Sequence, residues 1–165
     1  MANTQDIRRR IKSIRNTAQI TKAMQMVAAS KMRRAQEHAL AGRPYAALMN
    51  KVLVSLQKRT DPRLHPLLHI RDLNKELVLI ISTDKGLCGA LNTNLFRETA
   101  HFDSAKTAFV VTGKKARQFI SRTKRELLAD FELKDALSFV DTKPISKFCT
   151  EKFLKREVDK VLKGA

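Results

Sequence analysis

The stretch from Thr4 to Ala39, TQDIRRRIKSIRNTAQITKAMQMVAASKMRRAQEHA, holds neither glycine nor proline. Its apolar and small residues recur at steps of four and three: Ile7, Ile11, Ile14, Ala18, Thr21, Gln25, Ala28, Met32, Ala35 and Ala39. Alternating steps of that kind make the seam of a coiled coil. A second stripe, Ile20, Met24 and Val27, runs beside it. Asn3 or Thr4 is placed to cap the helix, and Asp6 lies in its first turn, where a carboxylate favours the positive end of the helix dipole. Continued through Leu56, such a helix would be roughly 80 Å long at 1.5 Å per residue. That exceeds what a small domain needs, so the helix requires a partner.

The charge of the chain sits on the same segment. The 165 residues carry 33 Lys and Arg against 16 Asp and Glu, a formal net charge of +17. Residues 1–60 hold 13 basic side chains and only Asp6 and Glu37 as acids, an excess of +11. Acidic partners of three kinds answer such a field: nucleic acid phosphates, an anionic membrane leaflet, or acidic loops on another protein. No run approaches the roughly 20 apolar residues of a membrane span, and no apolar core follows the basic start as a signal peptide requires. A cytosolic or peripheral protein is expected. Cys88 and Cys149 lack the close spacing of a disulfide framework or a four-ligand zinc site.

Downstream of the helix the composition changes. Gly42 and Pro44 are the first breakers, and Pro44 either kinks the helix or starts a new stretch, Tyr45 to Leu56. Thr60 to Asn74, with Pro62 and Pro66, reads as a linker. Leu77–Ser82 is a continuous apolar run of the kind found in a buried parallel strand. A turn with Gly86 and Gly89 leads into a helix over Leu91–Phe102, capped near Asn92 or Asn94. Ala108–Thr112 is a second strand and Lys114–Arg122 a second helix, with Ala116, Phe119 and Ile120 facing inward. Leu127–Val140 is ambiguous and could hold one or two short strands. Ser146–Leu162 suggests a final amphipathic helix through Phe148, Cys149, Phe153, Val158, Val161 and Leu162. The fold class is therefore α/β with a long N-terminal coiled-coil helix and a small parallel, Rossmann-like sheet flanked by helices. Residues 1–59 form the shaft helix, 60–76 the linker and 77–165 a partial α/β domain. Two or three strands make a marginal sheet, so the chain looks incomplete.

The chemistry-bearing residues point away from catalysis. Lys85-Gly86-Leu87-Cys88-Gly89 lies between a strand and a helix, where phosphate loops sit, but its spacing matches neither a Walker loop nor a dinucleotide fingerprint, and a structural turn is the better reading. Cys88 with His65, His69 or His101 as base has no diagnostic spacing, and a lone cysteine beside an apolar strand is usually a small buried hydrophobe. Asp130, Glu132 and Asp135 read as a solvated loop or helix face. No catalytic, cofactor-binding or metal-ligating residues are expected. The basic residues Arg8, Arg9, Arg10, Lys12, Arg15, Lys22, Lys31, Arg33 and Arg34 carry the functional signal, because almost no acids supply the i, i+4 pairs of an ordinary exposed helix. The alternative, a stand-alone basic coiled-coil or nucleic-acid-binding protein, is weakened by the apolar seam running through the same segment and by sparse aromatics, with no Trp, one Tyr and no Phe before Phe96.

Ile7-Arg8-Arg9-Arg10-Ile11, NTAQITKAMQMVAASKMRRAQ from Asn16 to Gln36, RPYA from Arg43 to Ala46, and STDKGLCGALNTNLF from Ser82 to Phe96 closely resemble the gamma subunit of the F-type ATP synthase. The resemblance follows the whole chain in order and is strongest in the N-terminal helix and the Gly-Leu-Cys-Gly turn. It implies a central rotor shaft in which N- and C-terminal helices pair as an antiparallel coiled coil inside a ring of alternating alpha and beta subunits. The α/β domain would sit lower, near the membrane c-subunit ring and the epsilon subunit. Proton flow would turn ring and shaft, and the shaft itself would hydrolyse nothing and need no cofactor. It further implies that the basic face, Arg8, Arg9, Lys12, Lys22, Lys31, Arg33 and Arg34 with Met24, opposes acidic loops of the beta subunits, with Lys85 a further contact lower down. Gly86, Leu87, Cys88 and Gly89 would form a backbone turn that positions Lys85. Where the family usually has Arg, Lys85 keeps the charge and loses the bidentate fork.

Members of that family continue through further strands to a long C-terminal helix, whereas this chain ends at Ala165, so half of the coiled coil is expected to lie outside it. Alone, the exposed seam predicts self-association or partial disorder. Without a targeting segment, the expected location is the cytoplasmic side of a bacterial inner membrane, held there through the complex, with no nucleic-acid partner.

Overall fold

Branched side chains pack well on a pleated surface, and in the computed structural model of the chain the Val- and Ile-rich run Glu76–Ile81 forms β1, the first of four parallel strands among the described residues. The structure describes residues 4–133 and 137–163. Asn3, one of the two expected caps, and Asp135 lie outside the described residues. Contacts divide the chain into two units, residues 1–58 and 59–165.

The first unit is a single helix, α1 (Thr4–Arg59), of 56 residues, or about 84 Å at 1.5 Å per residue. Gly42 and Pro44 do not end it. A proline inside a helix forfeits one hydrogen bond to the carbonyl four residues back, and the turns on either side carry the helix through. No residue of α1 is buried.

The second unit opens with two 3-10 turns, Pro62–Leu64 and Pro66–Leu68, capped by the side chains of Asp61 and His65. After β1 come α2 (Leu91–Thr99), β2 (Thr107–Thr112), α3 (Lys114–Arg122), β3 (Glu126–Phe131), α4 (Phe139–Leu154) and β4 (Lys160–Lys163), with the strands in the order β3-β2-β1-β4. Successive side chains of a strand face opposite sides, so β1 and β2 feed two cores. Val78, Ile80, Phe109 and Val111 pack with Leu95, Ala116 and Ile120 from α2 and α3. Leu77, Ala108 and Val110 pack with Ile145, Cys149 and Phe153 of α4 and with Val158. Helices on both faces explain why these strands read as unbroken apolar runs. Phe119 is partly buried and stacks on Phe96 at 4.4 Å between centroids.

Three sequence expectations need correction. The helix expected over Ser146–Leu162 starts at Phe139, under a capping box made by Ser138 and Asp141, and stops at Leu154; Lys160–Lys163 is a strand. The stop is a helix-end motif in which Glu157 N–H donates to Lys152 O and Arg156 N–H to Phe153 O, with Arg156 at φ +59° where glycine is usual. Of the one or two strands that Leu127–Val140 could hold, its described residues show one, β3, followed by the start of α4. Asp130 therefore lies in β3, paired with Arg117 at 3.1 Å, and not on a solvated loop. Finally, α2 begins behind Ala90 with no side-chain cap, so neither Asn92 nor Asn94 caps it.

Asp159 fastens the incoming chain to β4. Its Oδ2 accepts from the backbone N–H groups of Asn74 (3.0 Å) and Lys75 (3.1 Å), and its own N–H donates to Lys75 O (2.8 Å). The Lys75 and Asn74 amides hold the carboxyl below its ordinary value. A carboxyl depressed in the folded state contributes stability above its unfolded pKa, and that contribution fades as pH falls through the folded value. Asp159→Asn should therefore flatten the loss of thermal stability below about pH 4, with little change in slope near neutrality. Thermal melts across that range check it, and an unchanged acid slope would refute it.

Candidate functional site

The sites expected to meet a partner fall on both units. Arg8, Arg9, Lys12, Lys22, Met24, Lys31, Arg33 and Arg34 all lie exposed on α1, and Lys85 lies exposed in the turn after β1. Glu37 takes one of them: Arg33 Nε donates to its Oε1 at 3.0 Å. Among the described residues no ion pair engages Arg8, Arg9, Lys12, Lys22 or Arg34. Their charges stand uncompensated along the helix.

The seam residues are equally open. Ile14 is 68% exposed and Met32 61%, and Ile7, Ile11, Met24 and Val27 are exposed with them. Ile14, Ala18, Thr21 and Gln25 line one shallow groove along the helix. The hydroxyls in this stretch are satisfied locally, since Thr17 Oγ1 donates to Ser13 O (3.0 Å) and Thr21 Oγ1 to Thr17 O (2.8 Å). Thr21 can thus enter an apolar interface without an orphaned donor. Isolated helices owe little stability to propensity and most of it to a packed face; α1 has the face and no cover.

The turn after β1 is tethered rather than loose. Asn92 Nδ2 donates to Thr83 Oγ1 (2.8 Å) and to Cys88 Sγ (3.2 Å), and Thr83 Oγ1 donates to Lys85 O (2.6 Å). Asp84 Oδ1 accepts from Lys114 N–H at 3.0 Å, and Lys115 N–H donates to Thr83 O at 3.2 Å. Leu87 and Gly89 both take φ +62°. Asn92, expected as a cap, instead ties the turn to α2; a polar residue in the first turn of a helix that follows a glycine-rich loop was the only sequence signal for this.

Of the candidate nucleophiles and bases, Cys88 and His65 have structural partners. Among the described residues Cys88 bonds Thr83 and Asn92, and His65 Nδ1 accepts from Leu67 N–H, a capping role. Cys149 is packed in the α4 core, where burial pushes its thiol up, away from the thiolate a nucleophile needs. Among the described residues no group of His, Cys, Asp or Glu is placed to hold a metal, and no helix is long and apolar enough to cross a membrane.

Residues 3–162 match the family model described as ATP synthase. The chain belongs to the ATP synthase gamma-chain family. It is 53% identical to the gamma chain of Methylacidiphilum infernorum, over 98% of this chain and 57% of that one. With the gamma chain of Opitutus terrae it shares 49% identity, over 98% and 54%. The chain thus spans a little over half the length of these relatives. Its fold is also similar to a chain in the rotor of the Euglena gracilis mitochondrial ATP synthase, with a TM-score of 0.50 and 20% identity, covering 87% of this chain and 51% of that one. A second structure of the same enzyme, containing OSCP, F1 and the c-ring, matches with a TM-score of 0.54 over 87% of this chain and 46% of its counterpart.

Proposed function

We propose that this chain forms part of the rotating central stalk of a proton-translocating F-type ATP synthase. Residues 1–59 are the shaft, 60–76 the linker, and 77–165 the α/β part that lies toward the membrane c-subunit ring and the epsilon subunit. The observation that carries this reading is a 56-residue helix with no buried residue, an exposed apolar seam and a basic surface. The seam pairs with the family's second, antiparallel helix. The basic face, Arg8, Arg9, Lys12, Lys22, Lys31, Arg33 and Arg34 with Met24, then opposes acidic loops of the beta subunits, and Lys85 adds a contact from the turn. Rotation of an asymmetric shaft drives the beta sites through different nucleotide affinities while the shaft itself catalyses nothing. The assembly works at the cytoplasmic face of a bacterial inner membrane.

The test is charge reversal in the full-length protein. Arg8→Glu, Arg9→Glu and Lys12→Glu together should weaken binding to a purified alpha–beta ring by about 100-fold at low salt, with the deficit shrinking as salt rises. Binding by the triple variant equal to the native protein at every salt concentration would sink the proposal.

A further inference from the structure

The four strands are parallel and start level, since the register sets Glu76 opposite both Thr107 and Lys160, and Ala108 opposite Glu126. The links that lead into the strands therefore share one edge of the sheet. Lys106 precedes β2, Lys124 precedes β3, Arg156 lies just before β4 and Lys160 is its first residue. All four are exposed, and among the described residues no ion pair engages them. The carboxylates at the strand starts are engaged inside the chain: Glu76 accepts from Thr107 Oγ1 (2.8 Å), Glu126 from Lys75 Nζ (2.7 Å), Glu157 from Lys152 Nζ (2.5 Å) and Asp159 from the Asn74 and Lys75 amides. The cations thus stand open along an edge whose strand spacings span roughly 15 Å. Basic residues favour helix C-termini, but Lys106 and Lys160 stand at strand starts, where no helix end calls for them.

Apolar side chains lie open beside these charges. Ile70 is 93% exposed and Leu73 half exposed. Their neighbours place them at this edge: Arg71 Nη1 donates to Phe153 O (2.8 Å) at the end of α4, and Asn74 N–H donates to Asp159 Oδ2 (3.0 Å). Open cations beside exposed apolar residues suit an anionic lipid surface, charge for the headgroups and branched side chains for the acyl boundary. Lysine, a point charge with no fixed fork, matches headgroups that diffuse. The direction agrees. Strands of six residues put this edge about 20 Å from the turn that carries Lys85, and with that turn toward the alpha–beta ring the strand starts face the membrane. We propose that Lys106, Lys124, Arg156 and Lys160, with Ile70 and Leu73, bind directly to anionic lipid headgroups of the membrane. The inference rests on the shaft reading, which supplies the direction; the membrane contact is then direct and not only through the complex.

Lys106→Gln, Lys124→Asn and Lys160→Gln together remove three charges, asparagine being suited to the φ of +52° at Lys124. The full-length protein is first assembled with a purified alpha–beta ring, so that the ring covers the charge of α1. The native complex should bind vesicles of phosphatidylglycerol mixed with phosphatidylcholine, more weakly as salt rises, and bind phosphatidylcholine alone far less. At about fivefold per cation, the triple variant should bind the anionic vesicles about 100-fold more weakly with an unchanged melting temperature. Ile70→Ser should weaken binding about tenfold at every salt concentration. Equal binding to both kinds of vesicle, or native-level binding by either variant, overturns the lipid contact and leaves the shaft reading standing. Binding to an isolated c-ring in neutral detergent that the triple variant loses, with its vesicle binding unchanged, gives the edge to the loops of that ring and overturns the lipid contact too. A melting temperature that falls with the binding makes these residues structural, with the same result. Failure of the native protein to enter the alpha–beta ring sinks the shaft reading and, with it, the direction on which the lipid contact rests.

Discussion

Gly113→Ala should destabilise the α/β unit by about 3–4 kcal/mol, seen as a fall of more than about 10 °C in its melting temperature. Two faults coincide at this position. Gly113 takes φ +93° and ψ 137°, a region open almost only to glycine. A Cβ built on it would lie 2.3 Å from Ser82 O and 2.6 Å from Ser82 Oγ. That oxygen cannot retreat cheaply. Ser82 N–H donates to Thr112 O at 2.9 Å and Ser82 Oγ accepts from Ala116 N–H at 2.8 Å, so the clash pulls on β1, β2 and α3 together. The tethered turn begins at the next residue, Thr83, so ring binding through Lys85 should fall with stability. Gly42→Ala is the matched control. Gly42 lies in α1 with open space around its Cα, and alanine there should favour the helix by about 0.5–1 kcal/mol. A Gly113→Ala protein within about 1 kcal/mol of the native one would contradict this packing argument.

Ile11→Asp with Ile14→Asp should abolish coupled ATP synthesis by the full-length protein reconstituted in inverted membrane vesicles. Both isoleucines lie on the seam, exposed on α1 taken alone. In a coiled coil each becomes a knob in the partner helix. Two unpaired carboxylates buried there cost more than about 4 kcal/mol, comparable with the whole stability of a modest interface. The two carboxylates also lower the local charge beside Arg8 and Arg15, so Ile11→Asn with Ile14→Asn, which buries polar groups without charge, should lose synthesis too, which assigns the loss to the seam. Vesicles that make ATP at the native rate with this variant would show that the seam is not an interface.

The long helix, the two central strands and α3 were legible because each is announced by a local pattern. Steps of three and four ran uninterrupted from Ile7 to Ala39, and β1 and β2, sandwiched between helices, had to be apolar on both faces. The excess of basic over acidic residues on α1 needed only counting. The end of the last helix was misread for one reason. Arg156 occupies the left-handed position that glycine normally fills, so nothing in the letters marked the end of α4, and Val158, Val161 and Leu162 continued a helical rhythm by coincidence. Pro62 and Pro66 marked the linker out of the helix, though not the two 3-10 turns that they start. No local pattern marked the cation–π contact that fastens the next stretch of chain to α4: the Arg71 guanidinium lies 4.2 Å over the Phe153 ring and Nη1 donates to Phe153 O at 2.8 Å.

The sequence by itself determined the helix, its apolar stripe, its charge and the family, since these are carried by residues a few positions apart. Only the tertiary structure decided that Lys160–Lys163 is a strand, because its partner, Glu76–Leu79, lies far back in the chain and the pairing exists only once α4 has crossed the sheet. It alone decided that Asn92 is a tether and that Leu87 is held outward, because both depend on the way β1, α2 and α3 converge on one turn. Local patterns select elements; where an element stops, and which side chain is left facing water, depends on contacts that no local pattern encodes.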